Sequence, residues 1–290
     1  MAEALTPQMS ELFTTDKQIY CEQTGQPDST QRLIMLHGLA SNATRWNEFM
    51  QHTSLQQSWH LLAMNLRGHG PSMTFQRYTR QNWCNDILPL LAQENTQAVI
   101  AGHSMGAQIA LTLAAQQAAN LNGLILIDPV FPQALSGVLK KVARFRQLIN
   151  IACWLLRGWY RLGLHKRNYP YLDLQKLDQQ TRQFLEDNPD KGIADLYMNP
   201  FSDLAFIPLA NYLQDLYEVT RALPPLDTIN VPVLVLLSDG ASTSHVETNQ
   251  QILQTIPAVE IQTIDADHWL LTEKPVEARK IIEQWCQKLL

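Results

Sequence analysis

Residues 98–106 read Ala98-Val99-Ile100-Ala101-Gly102-His103-Ser104-Met105-Gly106, and Ala107-Gln108-Ile109-Ala110-Leu111-Thr112-Leu113-Ala114-Ala115 follow directly. The four small apolar residues 98–101 predict a buried strand. From Met105 the chain carries helix formers with no internal proline, which predicts a helix. Gly102-His103-Ser104-Met105-Gly106 lies between them and matches G-x-S-x-G. A sharp strand-to-helix turn forces its central residue into a strained backbone conformation. Side chains on both flanks would clash there, and glycine removes the clash. The turn lifts the Ser104 hydroxyl above the sheet, and the helix aims its free N-terminal N–H groups at the same place.

Further strands are expected at residues 32–36, 61–66, 123–127, 233–237 and 260–264, with a weakly signalled edge hairpin at 10–25. Between them the pattern predicts a short helix holding Trp46, a helix over 80–93 with a kink at Pro89, and a C-terminal helix opened by Pro275. Strands alternating with helices mean an α/β fold: a mostly parallel central sheet covered by helices on both faces. The alternation stops between residues 130 and 225. That stretch is rich in helix formers, tryptophan and tyrosine, and it is expected to form a helical cap over the carboxyl ends of the strands. Pro224-Pro225 reads as its return hinge. Residues 1–129 and 226–290 form the expected core.

With 46% hydrophobic and only 17% charged residues, the 290-residue chain can fill a large core. Its net charge of −5 argues against general nucleic-acid binding. Cys21, Cys84, Cys153 and Cys286 are scattered without a C-x-x-C pair, which excludes a metal-site or disulfide pattern and fits a reducing cytoplasm. No phosphate-binding glycine loop, dinucleotide fingerprint or metal-ligand spacing is present, so neither a cofactor nor a metal is expected.

Four motifs together resemble the α/β-hydrolase family. They are His37-Gly38 after the first buried strand, Arg67-Gly68-His69-Gly70 after the next, the Gly102–Gly106 turn, and the late Asp267-His268-Trp269. The resemblance covers residues 30–130 and 230–290. It implies an α/β-hydrolase fold with a cap insertion, Ser104 as nucleophile and His268 as its base. A serine hydroxyl needs such a base because it attacks poorly at neutral pH. The resemblance further implies an oxyanion hole made by the backbone N–H groups of Leu39 and Met105.

The acid departs from the usual pattern. Family members commonly carry it as Gly-x-x-Asp after the penultimate strand, where this chain reads Ser238-Asp239-Gly240-Ala241. Two replacements stand open: Asp128, at the end of the strand after the turn helix, and Asp239. Some members take the acid from the first of these positions, as certain haloalkane dehalogenases do. Asp128 is the preferred reading and Asp239 the alternative. A serine nucleophile does not fit dehalogenase chemistry, which in this family uses an aspartate.

The expected activity is therefore a serine esterase that cleaves an ester or thioester with an apolar acyl group. The alternatives are a ligand-binding protein on the same scaffold and a cofactor-free haloperoxidase or oxygenase. Between Pro129 and Leu172 the chain has no acidic residue but holds eight of its 22 basic ones, among them Arg144, Arg157 and Arg161. Apolar and aromatic residues alternate with them at helical spacing. Three readings stay open: a solvated cap face, a dock for an acidic acyl carrier protein bearing the substrate, or contact with an anionic membrane surface. The second resembles the cap of pimeloyl-carrier-protein methyl ester esterases.

Overall fold

A computed structural model describes residues 7–13, 18–188, 190–197, 200–240 and 245–289. Its eight-stranded sheet is built from β1 (Gln8–Phe13), β2 (Gln18–Gly25), β3 (Gln31–Leu36), β4 (His60–Met64), β5 (Gln97–His103), β6 (Leu121–Ile127), β7 (Val233–Ser238) and β8 (Val259–Ile264), in the order β1-β2-β4-β3-β5-β6-β7-β8. The β1–β2 and β2–β4 pairs are antiparallel and all other pairs are parallel. The weak hairpin signal thus marks the antiparallel edge. Strands β3, β4, β5 and β7 are almost wholly buried, as expected of parallel strands covered on both faces.

Alternate residues of the central strands feed two cores. On one face Ile34, Leu36, Ile100 and Leu126 pack with α2 (Arg80–Leu91) and α3 (Met105–Ala115). On the other, Leu33, Met35, Val99 and Ile125 pack with α1 (Asn47–His52) and the C-terminal helix Pro275–Lys288. Pro89 lies inside α2, whose N-terminus is held by a capping box between Thr79 and Asn82. Trp46, expected in a helix, ends a 3₁₀ turn (Ala43–Trp46) that runs into α1. Helix α3 stops at Ala115, and Gln117 and Asn120 turn the chain back through positive φ to start β6.

Between β6 and β7 the chain forms α4 (Gly137–Arg144), α5 (Arg146–Arg161), α6 (Leu174–Asp187), α7 (Ile193–Tyr197), α8 (Pro200–Asp203) and α9 (Leu209–Val219), and no strand occurs there among the described residues. Gln108 of α3 ties down both ends of this excursion: its amide donates to the Val130 carbonyl at 2.7 Å and to the Val219 carbonyl at 3.0 Å. Arg45 joins the core to α6 through an ion pair with buried Asp178. Two more helices, α10 (Val246–Leu253) and α11 (Leu270–Glu273), flank β8 before the C-terminal helix. No helix among the described residues is long and apolar enough to cross a membrane.

Candidate active site

The strand order reverses direction at β3 and β5, and the residues of interest gather at the carboxyl ends of β3, β5, β6, β7 and β8. In open parallel sheets a crevice forms at that place, because consecutive connections leave the sheet on opposite faces. Ser104 follows β5 directly, with φ 53° and ψ −111°. For a residue with a side chain this conformation is strained and persists only when the surroundings impose it. The imposing contacts are visible: a Cβ on Gly102 would run into the backbone of Gly106, and one on Gly106 would run into the Leu36 and His37 carbonyls. The two glycines therefore let the first turn of α3 sit directly on the ends of β3 and β5.

His268 lies in the loop after β8. Its Nε2 stands 2.9 Å from Ser104 Oγ, and its Nδ1 stands 2.5 Å from Asp128 Oδ2. A carboxylate only accepts, so Nδ1 carries the proton and Nε2 is free to accept from the serine hydroxyl. All three side chains are buried. Asp128 follows β6 at φ 41°, and its backbone N–H donates to the Leu236 carbonyl at 2.8 Å. Its second oxygen, Oδ1, accepts from both the N–H of Ser238 (3.0 Å) and the Ser238 hydroxyl (2.9 Å). The carboxylate is thus held on both oxygens, one by the imidazole and one by β7.

Asp239, the alternative acid, does not meet His268. It is exposed and its Oδ1 accepts from the Ala266 N–H at 3.2 Å, where it bridges the ends of β7 and β8. The alternation of a strand explains the difference: Ser238 and Asp239 are consecutive and point to opposite sides. Ala241, at the position the family usually gives to the acid, lies outside the described residues. Sequence reasoning misses Ser238 as a functional residue. The available signal is a hydroxyl residue ending β7 in a chain whose acid has moved to the neighbouring strand.

Met105 follows Ser104 directly, and Leu39 follows Gly38, which approaches the serine. Met105 is the first residue of α3, so its N–H has no partner within the helix. Gly38 brings the β3 loop close: a Cβ there would lie 3.3 Å from Ser104 Cβ. Among the described residues neither the Leu39 nor the Met105 N–H donates to another backbone group.

The remaining motif histidines are structural. His37 Nδ1 donates to the Gly38 carbonyl at 2.8 Å while Nε2 accepts from the Leu66 N–H at 3.1 Å, which fixes the loop that carries Leu39. His69 stacks edge-on against His37 at 4.8 Å and lies 3.0 Å from Asp215 of α9. His103 Nε2 donates to the His268 carbonyl at 2.9 Å, so the residue before the serine also positions the backbone of the histidine. Burial pushes His103 down to about 3, with the nearby His268 ring adding to the effect.

The buried His103 ring also bears on acid stability. In the unfolded chain it titrates near its ordinary value of about 6.5. Between pH 6.5 and 3 the unfolded chain binds a proton that the folded one does not, so stability falls as pH drops, on the order of 1 kcal/mol per pH unit. Asp203 titrates with the opposite sign, because burial raises its carboxyl to about 7. A His103→Asn variant, which keeps an N–H donor, isolates the histidine. The wild type is expected to lose urea stability between pH 6.5 and 4.5 more steeply than the variant; parallel pH profiles would refute the assignment.

The four cysteines are free and buried, and offer no competing nucleophile. Burial pushes the thiols of Cys21, Cys84 and Cys286 up to about 12, and that of Cys153 to about 11. Among the described residues no cluster of histidine, cysteine and carboxylate side chains is arranged to hold a metal.

Of the three arginines expected on a common basic patch, Arg144 and Arg161 are exposed but Arg157 is not. Arg157 is only 6% exposed and its guanidinium lies over the Tyr78 ring, 5.5 Å from the centroid. Helix α5 packs on α9, with Cys153 Sγ 3.8 Å from the Ala210 carbonyl, and Arg157 lies one turn along the same inner face. The sequence groups Arg157 with Arg144 and Arg161 in one basic patch; the structure turns Arg157 inward against α9 instead.

These features accompany a clear relationship. The chain belongs to the alpha/beta hydrolase family, whose sequence model matches residues 33–279. It is 26% identical over 264 residues to an sn-1-specific diacylglycerol lipase ABHD11 of Danio rerio, covering 87% of this chain and 77% of that one. It is 23% identical over 257 residues to 3-oxoadipate enol-lactonase 1 of Acinetobacter baylyi, covering 87% of each. Among solved structures, the enol-lactonase from Burkholderia xenovorans LB400 superposes with a TM-score of 0.68 at 16% identity, over 96% of this chain and all of that one. A thermophilic esterase from Thermogutta terrifontis gives 0.67 at 19% identity, over 97% and 99%. The expected fold, an α/β-hydrolase sheet with helices on both faces, is the one observed.

Proposed function

We propose that the protein is a serine carboxylic-ester hydrolase working through an acyl-enzyme. The observation that carries this reading is the hydrogen-bonded chain Ser104–His268–Asp128, built at a strained turn from residues 140 and 164 positions apart. In the reaction Ser104 Oγ attacks the acyl carbonyl carbon as its proton passes to His268 Nε2. The carbonyl oxygen becomes negative and accepts from the N–H groups of Leu39 and Met105. Asp128 keeps the imidazole in the useful tautomer and stabilises its cation. His268 then gives the proton to the departing alcohol or thiol, and the bond between it and the acyl carbon breaks. Water, deprotonated by the same imidazole, attacks the acyl-enzyme and releases the carboxylic acid with the free serine.

Relatives described as a lipase, an enol-lactonase and an esterase support ester cleavage as the reaction class. The substrate we favour is an ester or thioester with an apolar acyl group. A fluorophosphonate probe tests the reading, since it reacts with a serine only when a neighbouring base activates it. One label per chain on Ser104, absent from Ser104→Ala, is the expected result. A native protein that takes up no label would instead be a binding protein on a hydrolase scaffold.

A further inference from the structure

The outer side of α5 is the reverse of an ordinary surface helix, which turns polar residues to water. Leu148, Ile151, Leu155 and Trp159 recur every three or four positions and all are exposed, as is Trp154 beside them. The stripe continues at both ends, with Phe145 and Val138 before it and Leu162 and Leu164 after it, each more than half exposed. Trp154 and Trp159 are prominent among the aromatics, at 67% and 63% exposure. The helix's buried side, by contrast, holds Cys153 and Arg157.

Charge frames this apolar strip. Lys140, Lys141 and Arg144 lie at one end, and Arg161, Lys166 and Arg167 at the other; all six are exposed. Among the described residues none of the six forms an ion pair with a carboxylate. The sequence supplies no acidic residue between Pro129 and Leu172, in a chain whose net charge is −5.

We propose that this face, α4–α5 and the loop to Arg167, docks on an anionic lipid surface. The apolar strip would enter the boundary between headgroups and acyl chains, with the two tryptophans at that level, while the flanking cations meet lipid phosphates. A 16-residue helix is about 24 Å long and lies flat, with cations at both ends rather than at one. The layout disfavours the other occupants. A second copy meeting this face through a two-fold axis would bring two all-basic surfaces together. An acidic protein would be met best by cations at the centre, and here the centre is apolar. Lipid docking stands apart from the ester-hydrolase reading, because its test reads binding and not turnover.

The test is co-sedimentation with vesicles of phosphatidylcholine containing phosphatidylglycerol, against phosphatidylcholine alone. The wild type is expected to sediment with the anionic vesicles, less so as salt rises, and its tryptophan emission to move to shorter wavelength. That signal reports the face itself, since the other five tryptophans are buried or half-buried. Trp154→Ala/Trp159→Ala and Arg144→Glu/Arg161→Glu are each expected to weaken partitioning about tenfold or more. Their thermal melts should match that of the wild type, because all four side chains are exposed. A wild type that stays in the supernatant overturns the proposal, as does equal partitioning by wild type and both variants. Tight binding of acyl carrier protein, lost in the charge-reversed variant, with vesicles ignored, would assign the face to a protein instead.

Discussion

Replacing Asp128 by asparagine is expected to lower kcat on a p-nitrophenyl ester by roughly four orders of magnitude, with little change in KM. The substituted side chain would still accept from the Ser238 N–H and hydroxyl through its amide oxygen, so the strand ends should stay in place. Its NH₂ group, however, would face His268 Nδ1. The ring would then carry its proton on Nε2, the atom that must accept from Ser104. Attack fails because the tautomer is wrong, and not because the fold has changed. Asp239→Asn is the matched control. Among the described residues its carboxylate accepts from the Ala266 N–H and not from His268, so activity should stay within about twofold of wild type. Steady-state kinetics of the two variants on esters of increasing chain length make the comparison. Full activity in Asp128→Asn would remove Asp128 from the mechanism.

The second large effect concerns stability. Arg67 Nε donates to Asp86 Oδ2 at 2.9 Å and Nη2 to Oδ1 at 2.5 Å, a two-point pair between the β4 loop and α2 with both side chains buried. The Arg67 carbonyl also accepts from the indole N–H of Trp83 at 2.9 Å. Arg67→Ala leaves the Asp86 carboxylate buried without its cation, which costs about 3–5 kcal/mol. Against a total of about 5–15 kcal/mol for an ordinary domain, that brings the chain close to unfolding. Arg67→Met/Asp86→Leu removes both charges and should recover most of the loss, because well-packed apolar replacements avoid the desolvation of either ion. Urea unfolding of the single and double variants measures both. A single variant within about 1 kcal/mol of wild type would show that solvent reaches the pair.

Local pattern and long-range partnership are different kinds of information in this chain. Arg67-Gly68-His69-Gly70 is legible as a turn after a strand, but its partner Asp86 is not, because nothing local to residues 67–70 names a carboxylate on the next helix. The same holds at α5. Its period is legible, and its inner and outer sides are not, since periodicity fixes which residues share a face but not which face meets α9.

What the sequence determined by itself is the bend at Ser104. The small residues of β5, the close approach of Gly102 to the Gly106 backbone and the helix formers behind them act on one another over a few bonds, so the strained serine at a helix start is a local event, whereas the contact of Gly106 with the Leu36 and His37 carbonyls belongs to the tertiary structure. Tertiary structure decided which acid reaches His268. Asp128 and Asp239 both end strands beside the site, and only the parallel pairing of β6 with β7 sets Ser238 against Asp128 while Asp239 turns outward to Ala266. That choice depends on side-chain direction across a register between segments 110 residues apart, a quantity no local stretch of the chain contains.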